Sequence, residues 1–198
     1  MFPAEALAAA LLARGIAVDL ATDARAWRYG QAFPAGHTHI IPSATLASRN
    51  PLSLMRTAAL LGLGVAKAWR LFRKIRPDAV VGFGGYPTVP SVLAAAWLGV
   101  PAVIHEQNAV MGRANRLLAP RVRAIATSFP RLADKDPALA AKATHTGNPV
   151  RPAVLAAAQR AYAPPQPGEP FRLLVFGGSQ GAHVMAGVVP AAAALLPL

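Results

Sequence analysis

Residues 78–108 carry the pattern that most restricts the fold. They read DAVVGFGGYPTVPSVLAAAWLGVPAVIHEQN, in which two short apolar runs, 79–81 and 101–104, flank a glycine turn and an alanine-rich segment. A hairpin between two strands needs only about two to five residues, whereas this connection holds a whole helix, so the two strands must lie parallel. The stretch therefore predicts a βαβ unit, and with it an α/β fold built on a parallel sheet.

Polar residues follow both predicted strands. Ligands of open parallel sheets bind beyond the carboxyl ends of the strands, so we expect a chemical site at this edge. His105 and Glu106 could do acid–base work there, although a lone histidine at a strand end is more often structural. We assign no catalytic residue. The remaining polar residues of this edge are Tyr86 and Thr88 after the first strand, and Gln107 and Asn108 after the second.

The flanking segments continue the α/β alternation. Helices are expected over residues 4–13 and 111–119, and strands over 16–21 and 123–128. Residues 33–50 are expected to be irregular, with His37 and His39 as solvated loop residues. A proline-rich connector without helix, AAAQRAYAPPQPGEP, then leads to FRLLVFGGSQGA, a second strand, glycine turn and helix. We therefore divide the chain into a first domain (1–158), a linker (159–170) and the start of a second domain (171–198).

Composition narrows the classes of protein. With 54% hydrophobic residues the 198-residue chain can bury a core, and the absence of cysteine excludes disulfides and thiolate metal sites. No apolar run reaches the length of about 18 residues that a membrane span needs, and no basic segment precedes an apolar one as in a signal peptide. The net charge of +12 implies an anionic partner: nucleic acid, a phosphate-bearing substrate or an acidic membrane.

The longest predicted helix, residues 51–76, is basic and amphipathic. No acidic residue occurs between Ala24 and Pro77. One face is apolar, so the helix is expected to cover the sheet, while the other face either is simply solvated or contacts an anionic bilayer. The residues we assign to membrane contact are Arg56, Lys67, Trp69, Arg70, Phe72, Arg73 and Lys74.

The second glycine turn, Gly177–Gly181, favours phosphate, because glycines between a strand and a helix let backbone N–H groups approach a ligand. It matches neither the dinucleotide fingerprint nor the P-loop, so nicotinamide enzymes and ordinary NTPases are disfavoured. We find no histidine and carboxylate spacing typical of a metal site, and we predict no metal and no cofactor.

Five phrases together resemble a known family. They are FGGYPT with PSVLAA, PAVIHEQNAVMGRANRLLA, TGNPVR and LLVFGGSQGA, in this order, after the opening FPAEALAAALLARG. The set is similar to the MurG family, peptidoglycan transferases that move N-acetylglucosamine from UDP-N-acetylglucosamine onto lipid I to give lipid II. The resemblance implies the GT-B arrangement of two Rossmann-like domains, the first for the lipid-linked acceptor and the second for the nucleotide sugar.

The resemblance also implies residue roles. Asn108, Arg151, Ser179 and Gln180 would contact UDP-N-acetylglucosamine, and Gly84, Gly85, Tyr86 and Thr88 would form a loop facing the acceptor pyrophosphate. A glycine-rich loop whose histidine is the family's candidate base would stand before Met1, so the catalytic base is left unassigned. We therefore expect this chain alone to be an inactive fragment of the enzyme.

The partners implied are UDP-N-acetylglucosamine, lipid I and the anionic cytoplasmic face of the inner membrane, where the protein would be peripheral, without nucleic acid. Two other interpretations remain open. One is a related GT-B enzyme that glycosylates a different lipid, and the other is a non-catalytic module that binds nucleotide or membrane.

Overall fold

The structure is a computed structural model that describes residues 2–27, 33–45, 50–130, 136–166, 168–170, 173–176 and 182–195. The chain divides into two compact units, Met1–Ala158 and Gln159–Leu198. The strands of the first unit are β1 (Leu20–Thr22), β2 (Thr38–Ile40), β3 (Val80–Gly82), β4 (Ala102–Glu106), β5 (Ala124–Thr127) and β6 (Ala143–His145). The α-helices are α1 (Phe2–Leu12), α2 (Ala24–Trp27), α3 (Pro51–Ile75), α4 (Thr88–Trp97), α5 (Arg113–Leu118), α6 (Pro137–Ala140) and α7 (Pro152–Ala158) in the first unit, and α8 (Ala182–Ala193) in the second.

The predicted βαβ unit is confirmed. Strands β3 and β4 pair in parallel, with Val80 opposite Ala102 and Gly82 opposite Ile104, and α4 makes the crossover between them. β5 and β6 extend this sheet in the order β3-β4-β5-β6, all parallel. The first unit is therefore a parallel-sheet α/β fold of the Rossmann-like kind, and the carboxyl ends of β3 to β6 share one edge, while β1 and β2 form a separate two-stranded sheet.

Two elements differ from the sequence-based expectation. Residues 33–50 are not wholly irregular, because β2 pairs in parallel with β1 inside that stretch. His39 accordingly lies in a strand, where its Nε2 contacts Asp19 Oδ2 at 3.0 Å. The connector that we expected to lack helix begins inside a helix, since α7 ends at Ala158. Proline at the first helical position, as at Pro152, is a favourable start because its missing N–H would have no intrahelical partner.

Helix α3 is well delimited by its ends. The Asn50 side chain accepts a hydrogen bond from the N–H of Leu52 (3.1 Å), and Pro51 occupies the first position. At the other end, Arg76 adopts a left-handed conformation (φ 48°), and its N–H donates to the Phe72 carbonyl (2.8 Å). At Gly64 the helix lies against the loop after β2 and against α4, because a Cβ atom there would collide with the Pro42 carbonyl and lie 3.0 Å from Pro90.

The core lies between the four-stranded sheet and helices α3, α4 and α5. It consists of aliphatic side chains together with Phe72, and its most buried large members are Ile104, Leu118, Ile125 and Val92. Burying each of these side chains contributes about 1.5–3 kcal/mol to the stability of the fold. The core therefore stabilises the sheet whose carboxyl edge carries the site.

The second unit has little burial. Residues 173–176, where we predicted a strand, form no ladder with any other described segment, and Leu174 and Phe176 are 81% and 84% exposed. A strand is stable only beside a neighbouring strand. The expected glycine turn at 177–181 lies outside the described residues.

None of the helices in the described ranges combines the length and the apolar character needed to cross a bilayer.

Candidate functional site

The loop after β3 has a backbone that requires glycine. Gly84 and Gly85 both lie in the left-handed region, with φ of 75° and 73°. The Thr88 hydroxyl donates to the Gly84 carbonyl at 2.7 Å and closes the turn at the start of α4. Within the described part of the chain, the backbone N–H groups of Gly84, Gly85 and Tyr86 have no hydrogen-bond acceptor. Three unpaired donors therefore lie next to a helix N-terminus, which is also the positive end of the helix dipole.

The loop after β4 is organised around the carboxylate of Glu106, which is only 2% exposed. One oxygen, Oε1, accepts from the backbone N–H (3.0 Å) and the side-chain amide (2.8 Å) of Asn108. The other, Oε2, accepts from the Gly112 N–H (2.9 Å) and the Asn115 side-chain amide (2.9 Å). This carboxylate therefore holds the loop 107–112 and the start of α5 against the end of β4.

These bonds decide the charge of Glu106. Burial raises the pKa of its carboxyl group, but the hydrogen bonds from Gly112, Asn108 and Asn115 outweigh that effect and leave the pKa below its ordinary value. An ionised carboxylate whose two oxygens each accept two hydrogen bonds is a poor proton acceptor. Glu106 therefore positions the loop and is not suited to be a general base.

His105 is also structural. It is 4% exposed, its Nε2 lies 3.0 Å from the Gly147 carbonyl, and its Nδ1 lies 2.8 Å from the Gln107 amide nitrogen. Both ring nitrogens therefore contact protein groups and neither is left for a substrate. Its ring also packs on Phe83, with centroids 5.6 Å apart. The structural interpretation of this histidine is the one that the contacts favour.

Together the two loops line an open pocket of about 300 Å³ at the carboxyl edge of the sheet. We call it the glycine-loop pocket. Gly84, Gly85 and Tyr86 form one side, and Asn108 and Asn115 belong to the other. The structure thus brings together Asn108 and the acceptor-loop residues, with Thr88 bound to Gly84 just behind them.

The other predicted donor contacts are not in this pocket. Arg151 places its guanidinium 4.1 Å from the centre of the Phe2 ring, which is itself 59% exposed. This cation–π contact fixes the segment after β6 to α1. Ser179 and Gln180 lie outside the described residues.

Helix α3 corrects one of the predicted membrane residues. Phe72 is only 5% exposed and belongs to the core, so assigning it to a membrane contact is wrong. Trp69 is partly buried, with the Arg73 guanidinium 4.7 Å above its ring. The remaining predicted residues, Arg56, Lys67, Arg70, Arg73 and Lys74, are exposed. So are three large apolar residues toward the start of the helix: Leu52 (75%), Met55 (70%) and Leu63 (62%).

Comparison with known proteins agrees with this geometry. Residues 1–127, more than half of the chain, match the model of the glycosyltransferase family 28 N-terminal domain. The chain belongs to glycosyltransferase family 28.

Relatives of this family 28 chain carry a more specific name. Proteins of Rhodopseudomonas palustris strain BisA53 and Agrobacterium fabrum strain C58 are 55% and 57% identical to it, over 96% and 99% of its length. Both are named UDP-N-acetylglucosamine–N-acetylmuramyl-(pentapeptide) pyrophosphoryl-undecaprenol N-acetylglucosamine transferase. The crystal structure of Acinetobacter baumannii MurG matches all of the chain with a TM-score of 0.68 at 30% identity. The chain spans about half the length of these proteins, 51% of both relatives and 52% of the crystallised chain.

Gly112 and Asn115 line the glycine-loop pocket but were not predicted from the sequence. Asn115 is 2% exposed, and its amide also donates to the His105 carbonyl at 3.2 Å. A polar residue beside Ala114, and three positions before Leu118 on the buried face of α5, was the available signal. In the described ranges, no group of three or more His, Asp or Glu side chains is placed to hold a metal ion.

Proposed function

We propose that this chain supplies the acceptor-binding part of a transferase that moves N-acetylglucosamine from UDP-N-acetylglucosamine to lipid I, giving lipid II. The observation that carries the proposal is the set of three unpaired N–H groups at Gly84, Gly85 and Tyr86 beside the N-terminus of α4. Such an arrangement binds phosphate without a metal ion. The names of the two relatives describe an acceptor with a pyrophosphoryl group, which is the anion that this loop would bind.

The rest of the pocket supports an ordered ligand. The buried Glu106 carboxylate fixes Asn108, whose Nδ2 is occupied by that bond, while its Oδ1 accepts no hydrogen bond from the described residues. A free carbonyl oxygen suits a sugar hydroxyl or an acetamido N–H. In the proposed reaction, the acceptor hydroxyl gives its proton to a base as its oxygen attacks the anomeric carbon of the donor, and UDP departs with the electron pair of the broken C–O bond. Hydrogen-bond donors that are already in place for the negative charge developing on UDP would lower the barrier.

The donor side of the proposal names Asn108, Arg151, Ser179 and Gln180. In an active transferase that contains this chain, Arg151→Ala and Ser179→Ala should each lower kcat/KM for the donor by roughly ten- to a hundredfold, since a hydrogen bond to a charged group contributes about 1.5–3 kcal/mol. The measurement is initial rate against UDP-N-acetylglucosamine concentration. Unchanged donor kinetics in both variants would contradict these assignments.

The acceptor side is tested by binding to the purified chain. A soluble lipid I analogue should bind in calorimetry, compete with inorganic pyrophosphate, and lose affinity when its pyrophosphate is replaced by a neutral linker. Binding that does not depend on the pyrophosphate would contradict the proposal. Equal binding of a diacylglycerol acceptor would instead indicate a transferase for another lipid.

We also propose that α3 holds the protein at the cytoplasmic face of the inner membrane as a peripheral protein. Its exposed face is apolar at Leu52, Met55 and Leu63 and basic at Arg70 and Lys74. This distribution suits an anionic bilayer, where each basic residue near the surface contributes about 1 kcal/mol.

Vesicle flotation tests this membrane contact. Binding to anionic vesicles should weaken with salt, and it should be mostly lost when Arg70, Arg73 and Lys74 are changed to Glu. The matched control is Arg113→Glu, which changes a basic residue of the glycine-loop pocket and should leave flotation unchanged. Equal binding to neutral vesicles would contradict the electrostatic part.

A further inference from the structure

A second pocket of about 310 Å³ lies at the carboxyl ends of β1 and β2. We call it the Asp23 pocket, and its polar lining residues are Asp23, Arg25, Ser43 and Lys67. None of these was singled out as a ligand contact from the sequence, except that Lys67 was assigned to the membrane. The pocket occupies the position at which open parallel sheets bind ligands.

The pocket is organised by a buried carboxylate. Asp23 is 4% exposed, and its Oδ2 accepts from Arg25 Nε (3.2 Å), Arg25 Nη2 (2.9 Å) and the Ser43 hydroxyl (2.9 Å). Asp23 therefore holds a guanidinium from α2 against a hydroxyl from the loop after β2. The Arg25 side chain remains 65% exposed, so part of the guanidinium still faces outward.

Lys67 adds a second cation from α3. Its side chain is exposed, and within the described residues no carboxylate lies within salt-bridge distance of it. Its placement is set one turn earlier, at Gly64, where only glycine allows the helix to approach the carbonyl of Pro42. With Arg25 and Lys67 against one aspartate, the pocket carries a net positive charge.

Gly64 also lies close to the helix that follows the glycine loop. A Cβ at Gly64 would also lie 3.0 Å from Pro90, in the first turn of α4, which follows the glycine loop. The loop after β2 and the start of α4 therefore meet at one point of α3.

We infer that the Asp23 pocket binds a carboxylate of the acceptor's peptide, while the glycine-loop pocket binds its pyrophosphate. This inference rests on the proposed function. The name of the relatives describes an acceptor that carries a pentapeptide as well as a pyrophosphoryl group, and a peptide has at least a terminal carboxylate. A guanidinium, an ammonium and a hydroxyl are the donors that recognise a carboxylate, whereas the glycine loop offers only backbone N–H groups.

The test is an NMR titration of the isotope-labelled chain with two probes, N-acetylmuramyl pentapeptide and inorganic pyrophosphate. The pentapeptide should shift the amide signals of Arg25 and Ser43, and pyrophosphate those of Gly84 and Gly85. Lys67→Ala should weaken pentapeptide affinity about tenfold, the loss expected for one charge-assisted hydrogen bond, without changing pyrophosphate affinity. Lys74→Ala is the matched control, because it removes the same exposed charge from the same helix two turns away.

Each outcome decides between the two proposals. Pyrophosphate shifts at the glycine loop with no pentapeptide shifts at Ser43 would overturn this inference alone. No pyrophosphate shifts at Gly84 and Gly85 would overturn the proposed function. Equal losses from Lys67→Ala and Lys74→Ala would mean that only net charge matters, and would also overturn the inference. A pentapeptide with its carboxylates amidated should bind at least tenfold more weakly, and equal affinity of this probe or of inorganic phosphate at Ser43 would exclude a carboxylate site.

Discussion

The glycine-loop pocket and the Asp23 pocket are both built at carboxyl ends of parallel strands, and each is organised by a buried carboxylate. They differ in the groups that satisfy it. Glu106 is satisfied by uncharged donors from the backbone and from two asparagine amides. Asp23 accepts from a guanidinium and a hydroxyl. In the first pocket the Glu106 carboxylate is fully hydrogen-bonded, and neutral N–H groups remain for a ligand. In the second pocket the cationic side chains of Arg25 and Lys67 are exposed to solvent.

This difference explains how the carboxyl ends of two parallel sheets, β1-β2 and β3-β4-β5-β6, can bind two kinds of anion. Backbone N–H groups fixed by left-handed glycines approach a phosphate closely but carry no charge of their own. Exposed guanidinium and ammonium groups attract a carboxylate from a distance and adapt to it. The two carboxylates should accordingly contribute very differently to stability.

The largest effect should come from Glu106→Ala. It removes the acceptor of four hydrogen bonds, from Asn108, Gly112 and the buried Asn115 amide, so the free energy of unfolding should fall by about 3–5 kcal/mol. Denaturant unfolding followed by circular dichroism measures this change. Glu5→Ala, at the partly exposed first turn of α1, is the control and should cost far less. Similar losses in the two variants would mean that the hydrogen bonds to Glu106 do not hold the loop.

The charge of Glu106 gives a pH dependence with a defined sign. Its pKa is lower when folded than when unfolded, so the stability it contributes is complete above the ordinary value of 4.5 and is lost as pH falls through the lower folded value. The pKa of Asp19 is lowered as well, because its hydrogen bonds from His39 and His37 outweigh the effect of burial, and it contributes in the same direction. Unfolding free energy should therefore fall below about pH 4.5. Glu106→Gln should flatten this decline only in part, and a slope identical to that of the parent chain would contradict an ionised Glu106.

Gly64 joins the two pockets, and Gly64→Ala should be the next largest change. Its new methyl group would meet the Pro42 carbonyl and Pro90, so we expect a loss of about 1–3 kcal/mol together with weaker binding at both pockets. Gly62→Ala lies in the same helix, where no atom of the described part of the chain lies within 4 Å of the added Cβ, and should instead stabilise by about 1 kcal/mol through helix propensity. Equal stability of the two variants, measured by thermal unfolding, would show that the helix does not approach the loop this closely.

Asp23→Asn should have a smaller effect on stability than Glu106→Ala. The Arg25 side chain is 65% exposed and can be hydrated when its partner loses charge, so we expect a loss of about 1 kcal/mol. Urea unfolding gives the value, with Asp78→Asn, at an exposed position before β3, as the reference. A loss as large as that of Glu106→Ala would remove the distinction between the two pockets.

Much of the glycine-loop pocket could be predicted from sequence. The β-branched runs, the glycines and the helix between them have local signatures, so β3, α4 and β4 and the polar edge after them were foreseen. The short strand β2 was missed because three residues between a histidine and a proline carry no alternating pattern. Helix α7 was missed because the prolines that follow it dominate the composition of that segment.

Tertiary contacts set the rest. Phe72 and Arg73 are adjacent in a basic helix, and only packing against α4 decides that the first is in the core and the second is outside. Asp23, Ser43 and Lys67 are far apart in sequence and have no shared motif. The Asp23 pocket therefore could not be found before the strands, the loops and α3 were placed together.

The central claim is that the glycine loop binds the acceptor pyrophosphate, and it is tested most directly by comparing Gly84→Ala with Gly99→Ala. Both glycines have left-handed backbones, with φ of 75° and 72°, so each substitution should cost about 1–2 kcal/mol of stability. A Cβ at Gly84 would approach Asn115 Nδ2, at 3.2 Å, whereas no atom of the described residues lies within 4 Å of one at Gly99. Calorimetric binding of a soluble lipid I analogue should fall at least tenfold in Gly84→Ala and stay at the parent value in Gly99→Ala. Equal affinity in the two variants would contradict the claim.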